Sequence, residues 1–538
     1  MNFKRKTFNS TAAIFLIIAV IYAIGNYIWW TINTPVVFVW YSSVHFYDIF
    51  RDGYLFYNAP LLTWIMRLMF YVFGKEHYDL IVIIVNYIFF LISLYFIYKL
   101  GVELKDKETG NIAMILFALV PAVYGMSRQY GHQDYHTITA ITFNIYCLIK
   151  TDYFRDRKWS IWYGVSVGLG LMIKDTFVGY FIPPFVYVLI SGLREKIDKT
   201  KIINVLIAIV IGSLIAGCHY FRTDIIQKIW YGPVTQTQSV FAFESLRVMT
   251  IGLWEELLSP PIFIIFLAGL IYFIWGYSNK YRNIILLWFL IPWMIITFMS
   301  EIKVAAYGAG FIPAMILMGA VFISQIQKKY VKRIILILLI VIGSLQYIDY
   351  SYIPYIKFFN TKFQFKEYNA GYYNRYNNLM SCNSKQTKLI LKLVKYLKNK
   401  YPYEKFTIHS SLGLELSAII PQMNCNRIYC RQWDGNEDIL FFDIFIIIGK
   451  PMKLEETIEF KIDKMLENPL NAKMVTNELR NELFRKAQYV FSELEINYHI
   501  IDIFYLNDNK TNDTKVTLLG RKYKFSEFNE KHAILDVK

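Results

Sequence analysis

Long runs of apolar side chains, most of them near the roughly twenty residues a helix needs to cross a bilayer, fill the sequence between residues 11 and 350. Lipid offers no partner to a bare peptide group, so such runs have one common solution, the α-helix. The runs lie at approximately 11–30, 80–98, 110–127, 135–149, 159–173, 176–190, 202–219, 261–275, 284–299, 305–324 and 333–350. They predict a polytopic α-helical membrane protein with about 11 transmembrane helices. Hydrophobic residues make up 55% of the 538-residue chain and charged residues only 18%, a balance unlike that of a soluble domain.

The formal charge of +16 sits largely in short connectors. With a cytoplasmic amino terminus, the connectors near 99–109, 150–158, 191–201, 276–283 and 325–332 lie inside, and the outer connectors carry fewer than half as many basic residues. That asymmetry accounts for the basic excess without a nucleic-acid partner. It also places the loops 31–79 and 220–260, and everything after residue 350, outside the cell. The first run follows Lys4, Arg5 and Lys6 and lacks a small-residue cleavage site, so it reads as a retained signal-anchor helix. The expected location is a bacterial inner membrane.

Two domains follow: 1–350 in the membrane, and 351–538 as a soluble outer-face α/β domain. In the latter, 385–400 and 453–495 read as helical, while Phe406–His409, the run ending at Gly449, Tyr498–Tyr505 and Lys515–Leu519 read as strands. No phosphate loop or dinucleotide fingerprint is present, and no nucleotide or redox cofactor is expected. The five cysteines form no CxxC pair and no zinc spacing; Cys425 and Cys430 are near enough in sequence to pair in an oxidising compartment. The aromatic stretch Pro60–Phe73 reads as a helix lying at the membrane interface.

Ionisable residues beside apolar runs are costly and point to function. Ser127-Arg128-Gln129-Tyr130-Gly131-His132-Gln133-Asp134-Tyr135-His136 breaks the apolar pattern at the outer face; a polar turn satisfied internally is the competing reading. Lys174-Asp175 lies at the same face, either as a local ion pair or as part of a site. His45, Asp48 and Asp52 share one face if their segment is helical, as the wall of a cavity or a solvated surface. Lys303 adds a cation on that side.

The order of these elements resembles polyprenyl-phosphate-sugar-dependent membrane glycosyltransferases of the GT-C superfamily, of the protein O-mannosyltransferase and lipid A aminoarabinose transferase type. The matching residues are Gly53 and Asn58-Ala59-Pro60-Leu61 in the first outer loop, Ser127-Arg128 followed by Asp134, and Gly168-Leu169 leading to Lys174 and then Pro183-Pro184. Lys303, Tyr307 and Pro313 complete the series. The sequence departs from that family where an acidic pair is usual ahead of the loop glycine. Trp40 and Tyr41 stand there, and Asp48 is the nearest carboxylate.

The resemblance implies transfer of a sugar from a polyprenyl-phosphate donor to a glycolipid, polysaccharide or protein at the extracytoplasmic face. It implies catalytic roles for Asp48, as base, and Asp134. Arg128, Lys174 and Lys303 would hold the donor phosphate, and His45, His132 and His136 would contact sugar or metal. A divalent cation, magnesium or manganese, suits this carboxylate and imidazole set without being required by its spacing. An oligosaccharide ligase or polymerase, a transporter, and a catalytically inactive scaffold are the other readings. A transporter is the least suited of these, since no internal repeat is evident and the polar residues gather at an edge of the membrane.

Overall fold

The computed structural model describes residues 10–32, 59–74, 77–128, 133–195, 198–221, 246, 249–298, 305–351, 406–410, 425–429, 444–449 and 499–505. Its helices are α1 Ser10–Ile32, α2 Leu61–Phe73, α3 Tyr78–Leu104, α4 Lys107–Ala118, α5 Pro121–Met126, α6 Gln133–Lys150, α7 Arg157–Ile173, α8 Phe177–Glu195 and α9 Lys199–Tyr220. A π-helical segment Gly252–Leu257 leads to α10 Pro260–Trp275 and α11 Arg282–Phe298. A 3₁₀ turn Ala305–Phe311 runs into α12 Ile312–Gln325, and α13 Lys329–Ser351 follows. The chain divides into two compact units: residues 79–351 lie in one, and the four strands described below lie in the other.

The expected architecture of about eleven spans with an α/β domain needs correction. Among the described residues, five helices are long and apolar enough to cross a membrane: Ser10–Ile28, Leu80–Leu104, Lys199–Tyr220, Tyr307–Gln325 and Lys329–Ile348. Other runs form shorter helices or bury polar groups. The run at 110–127 breaks at Pro121, which starts α5, because proline has no N–H to continue α4 and fits a first turn. The run at 135–149 became α6, an 18-residue helix whose buried residues include Asp134, Thr137, Thr139, Thr142 and Asn144. Hydropathy counts apolar residues whether they meet lipid or protein, and much of this sequence meets protein.

Of the α/β domain expected in the carboxy-terminal part, strands alone lie among the described residues. The described residues there are four strands, β1 Phe406–Ser410, β2 Cys425–Tyr429, β3 Ile444–Gly449 and β4 His499–Tyr505, in the order β2-β1-β3-β4. Strand β1 pairs parallel to β2 and β3, whereas β4 is antiparallel to β3. The helices expected at 385–400 and 453–495, the strand at 515–519 and Cys430 lie outside the described residues.

Helices α1, α9 and α13 present the faces suited to lipid, with Leu16, Ile21, Leu206, Leu214, Ile337 and Leu345 exposed. Helix α6 is the opposite case. Several of its polar side chains bond to neighbouring helices: Thr139 bonds Ser93 (2.7 Å) and the Phe89 carbonyl (3.0 Å), Asn144 donates to Ser166 (2.9 Å), and Tyr135 donates to the Asn86 carbonyl (3.0 Å). Such bonds hold helices together where burial of apolar area gives no advantage over lipid. Helices α7 and α9 approach through small residues. A Cβ on Gly164 would lie 2.5 Å from the Ala208 carbonyl oxygen, and one on Gly168 would lie 2.6 Å from Ile215 Cβ. Helix α2, with 13 residues, exposes Trp64, Leu68, Tyr71, Val72 and Phe73 while burying Leu62, Met66 and Phe70.

Four of the basic connectors meet at one end of the helical unit. Lys150 pairs with Glu103 (3.0 Å), Lys332 with Glu108 (2.9 Å) and Lys280 with Asp152 (3.4 Å), while Lys105 donates to the Ser324 carbonyl (2.9 Å) and Asn279 to the Leu104 carbonyl (2.8 Å). The fifth joins them through α9, since Asn204 donates to the Phe154 carbonyl at 2.9 Å and Lys201 to the Gly192 carbonyl at 2.9 Å. The grouping read from charge is thus a physical one.

At this end Asp106 caps α4 by accepting the backbone N–H and the hydroxyl of Thr109, each at 2.8 Å. Burial raises the Asp106 carboxyl pKa, but these two bonds and the nearby Lys105 and Lys332 outweigh it and hold the group below the usual carboxylate value. Replacing Asp106 with alanine is expected to cost about 1 kcal/mol, as for other helix caps, read as a lower unfolding midpoint at neutral pH. Because the folded carboxyl titrates below the unfolded one, that difference should be full above the unfolded value and fade as pH falls through the folded value.

Candidate active site

Helix direction brings the first turn of α6 and the end of α7 to the same end of the unit, away from the basic connectors. Asp134 stands in the first turn of α6, where the helix dipole favours a negative charge. Lys174 caps the carboxy terminus of α7, where the dipole favours a positive one. Their side chains form an ion pair, Lys174 Nζ donating to Asp134 Oδ1, with the residues only 8% and 7% exposed.

Two glycines of the sequence element ahead of Lys174 explain how α7 reaches this place. Gly168 admits Ile215 of α9, and Gly170 lies against the ring of Phe177, so that α8 turns back directly over α7. Lys174 itself is extended (φ −157°, ψ 137°), with its N–H on the Gly170 carbonyl. Asp175 begins the turn that follows. Lys174 meets α6, while Asp175 accepts the hydroxyl of Tyr220 from α9 at 2.6 Å.

A third wall comes from the 3₁₀ turn. Lys174 Nζ lies 5.0 Å from the centre of the Tyr307 ring, within the range of a cation–π contact. The Tyr307 carbonyl accepts the hydroxyl of Tyr180 from α8, and the Gly310 carbonyl accepts Trp288 Nε1 at 2.9 Å. A side chain at Gly310 would strike the Tyr180 ring, so this turn is held close by packing as well as by hydrogen bonds. The structure thus assembles a carboxylate, an ammonium and aromatic rings from α6, α7, α8 and the turn before α12.

Arg128 occupies a different setting. Its Nε donates to Asn26 of α1 (3.1 Å) and Nη1 to Ser351 of α13 (2.7 Å), and its guanidinium lies 5.0 Å from the Tyr347 ring and 5.6 Å from the Tyr124 ring. It is 4% exposed and ties together α1, the end of α5 and α13. His136 is fully buried and meets the Phe89 ring edge-on at 4.5 Å. Asp48, His45, His132 and Lys303 lie outside the described residues.

Among the described residues, no group of three His, Cys, Asp or Glu side chains converges as a metal site. Asp134, the carboxylate of the expected cation ligands that is described, holds Lys174. The described part of the set does not by itself fit a divalent cation.

Sequence reading named Asp134, Lys174 and Tyr307 and expected Lys174 beside a cavity faced by Asp134, but not the ion pair or the contact with Tyr307. It gave no role to Tyr180 or Tyr220, and nothing in their local sequence distinguishes them from other tyrosines in a chain that has 42.

The sequence model of the dolichyl-phosphate-mannose-protein mannosyltransferase family matches residues 57–216, a stretch that contains Arg128, Asp134 and Lys174. No curated protein matches the chain. Among solved structures, ArnT from Cupriavidus metallidurans bound to undecaprenyl phosphate is similar at 12% identity and a TM-score of 0.48, covering 77% of this chain and 74% of that one. The apo oligosaccharyltransferase from Archaeoglobus fulgidus is similar at 11% identity and a TM-score of 0.49. That likeness covers 80% of this chain and 65% of the other, so the chain spans just under two thirds of its length. Neither likeness reaches a TM-score of 0.5, and neither carries weight for fold or activity.

Proposed function

We propose that this membrane protein transfers a sugar from a polyprenyl-phosphate donor to an acceptor hydroxyl at the extracytoplasmic face. The observation that carries the reading is the buried Lys174–Asp134 pair beside Tyr307. It lies at the end of the unit opposite the basic connectors and within the stretch that matches the mannosyltransferase family. A buried lysine held in place by a carboxylate is suited to receive a phosphate leaving group.

In this reading the acceptor oxygen attacks the anomeric carbon, the bond from that carbon to the donor phosphate breaks, and configuration inverts in one displacement. Asp48 takes the proton of the attacking hydroxyl. The negative charge that grows on the phosphate falls to Lys174, with Arg128 and Lys303 as the further cations, and Asp134 orients Lys174 or the acceptor. His45 and His132 contact the sugar. The acceptor is a glycolipid, a polysaccharide or a protein, and the carboxy-terminal part has a place in recognising it.

Sugar transfer from polyprenyl-phosphate donors by reconstituted wild type, Asp48→Ala and Asp134→Ala tests this. Loss of one general base removes on the order of a hundredfold or more in rate, so Asp48→Ala is expected to fall by at least that factor. Wild-type rates in both variants would remove the site assignment. Absence of transfer by the wild type across varied lipid-linked sugars would favour a binding or scaffold protein.

A further inference from the structure

We propose that Tyr220 and Asp175 are positioning residues for Lys174, an inference that rests on the donor-phosphate role given to that lysine above. The turn that carries Lys174 is gripped from two sides. On one side Asp134 of α6 holds the ammonium. On the other, Tyr220 at the end of α9 donates to Asp175 Oδ1 at 2.6 Å, and its hydroxyl also lies 3.0 Å from the Leu171 carbonyl in the last turn of α7.

A phenol has one proton. At 2.6 Å the contact to Asp175 falls in the charge-assisted range, so the proton belongs on that bond and the Leu171 contact is secondary. The Tyr220 oxygen therefore spans the last turn of α7 and the first residue after Lys174, across the place where the helix ends. Three further bonds fold the turn: Phe177 N–H to the Lys174 carbonyl (3.1 Å), Val178 N–H to the Asp175 carbonyl (3.4 Å) and Gly179 N–H to the Thr176 carbonyl (3.1 Å). Because Lys174 and its chain neighbour Asp175 have side-chain partners on different helices, α6 and α9, fixing the Asp175 side chain limits the directions in which Lys174 can leave the backbone.

The packing beneath makes this grip stiff. Tyr220 ends α9, whose contact with α7 leaves no room for a Cβ at Gly164 or Gly168. Its ring meets His219 edge-on at 4.9 Å, and His219 is itself buried. The end of α9 thus has little freedom to follow the turn if the turn moves, and the hydrogen bond transmits that rigidity to Lys174. Loss of the bond leaves Lys174 attached to Asp134 but free to shift with its backbone. Misplacement by about an ångström is enough to cost on the order of a hundredfold in an oriented reaction.

The test uses the full chain in lipid nanodiscs, with undecaprenyl phosphate as the probe and direct binding as the readout. Wild type, Lys174→Met, Tyr220→Phe, Asp175→Ala and Asp175→Asn are compared, and an unfolding midpoint is taken for each. Lys174→Met is expected to abolish binding. Tyr220→Phe, which keeps the ring, and Asp175→Ala are expected to weaken it about tenfold, within what such a displacement costs. Asp175→Asn retains an oxygen for the Tyr220 hydroxyl and is expected to bind as the wild type does, with all midpoints but that of Lys174→Met close to wild type.

If Lys174→Met binds normally, the donor-phosphate reading falls and the positioning role falls with it. If Lys174→Met loses binding while Tyr220→Phe and Asp175→Ala keep wild-type affinity, the reading stands and the positioning role is overturned. Failure of Asp175→Asn to rescue, or a loss of affinity in Tyr220→Phe that tracks a fall in its midpoint, also overturns it.

Discussion

Lys174→Met alone is expected to destabilise the protein more than Lys174→Met and Asp134→Asn together. The wild-type pair is an ammonium and a carboxylate that share a hydrogen bond in a site nearly closed to water. Breaking a buried pair by removing one member costs about 3–5 kcal/mol, whereas replacing both by neutral groups of similar volume is often close to neutral. Each single variant should therefore unfold at markedly lower temperature or denaturant, and the double variant should recover most of the difference. Sugar transfer should follow a different order. The double variant has lost its phosphate-holding ammonium and should remain as inactive as Lys174→Met, even with its stability restored. Thermal unfolding in nanodiscs and a transfer assay on the same preparations check the two halves separately. Recovery of transfer in the double variant would remove Lys174 from the chemistry and leave the pair a structural one.

Much of this site was legible from residue type and order, but the pairing was not. Lys174 stood out because a charged residue interrupts apolar helices, and Asp134 for the same reason. They are 40 positions apart, and Asp175 is next to Lys174 in sequence. Only the antiparallel packing of α6 and α7 makes Asp134 the partner in space, and sequence carries no direct record of that packing. Arg128 shows the same limit. Its location in the polar turn was readable, but its partners Asn26 and Ser351 come from the two ends of the membrane sequence.

The element count failed for a related reason. A helix such as α6 is buried by protein on all sides and tolerates Thr and Asn that a lipid-facing helix does not, so hydropathy reads both kinds by one rule. Pro121 was visible and does end a helix, yet an apolar run on both sides of it concealed the break. In the carboxy-terminal part, β1, β3 and β4 fall where apolar or β-branched runs were read, whereas β2 did not announce itself because Asn426 and Arg427 interrupt its pattern. The grouping of basic connectors was the most readable feature of all, since charge in short loops reports sidedness directly.

Gly164→Leu is expected to impair transfer although its side chain lies on the helix interface, far along α7 from Lys174. Even a methyl group at residue 164 would meet the Ala208 carbonyl oxygen at 2.5 Å, and a backbone atom cannot turn aside as a side chain does. Helices α7 and α9 must separate or slide to admit leucine, at a cost of about 1–3 kcal/mol or more for an overpacked site. Either motion carries Tyr220, at the end of α9, away from Asp175. The variant should therefore lose affinity for the donor as Tyr220→Phe does and, unlike Tyr220→Phe, lose stability with it. Gly212→Ala is the control on the same interface. A Cβ there would lie 3.3 Å from the Gly164 carbonyl oxygen, tight but accommodated by a small shift, so its unfolding midpoint and donor affinity should stay near wild type. If Gly164→Leu binds and transfers normally, the α7–α9 contact is not what holds the lysine in place. Two glycines on one interface, differing in how much room each leaves, thus separate a stiff scaffold from an incidental one.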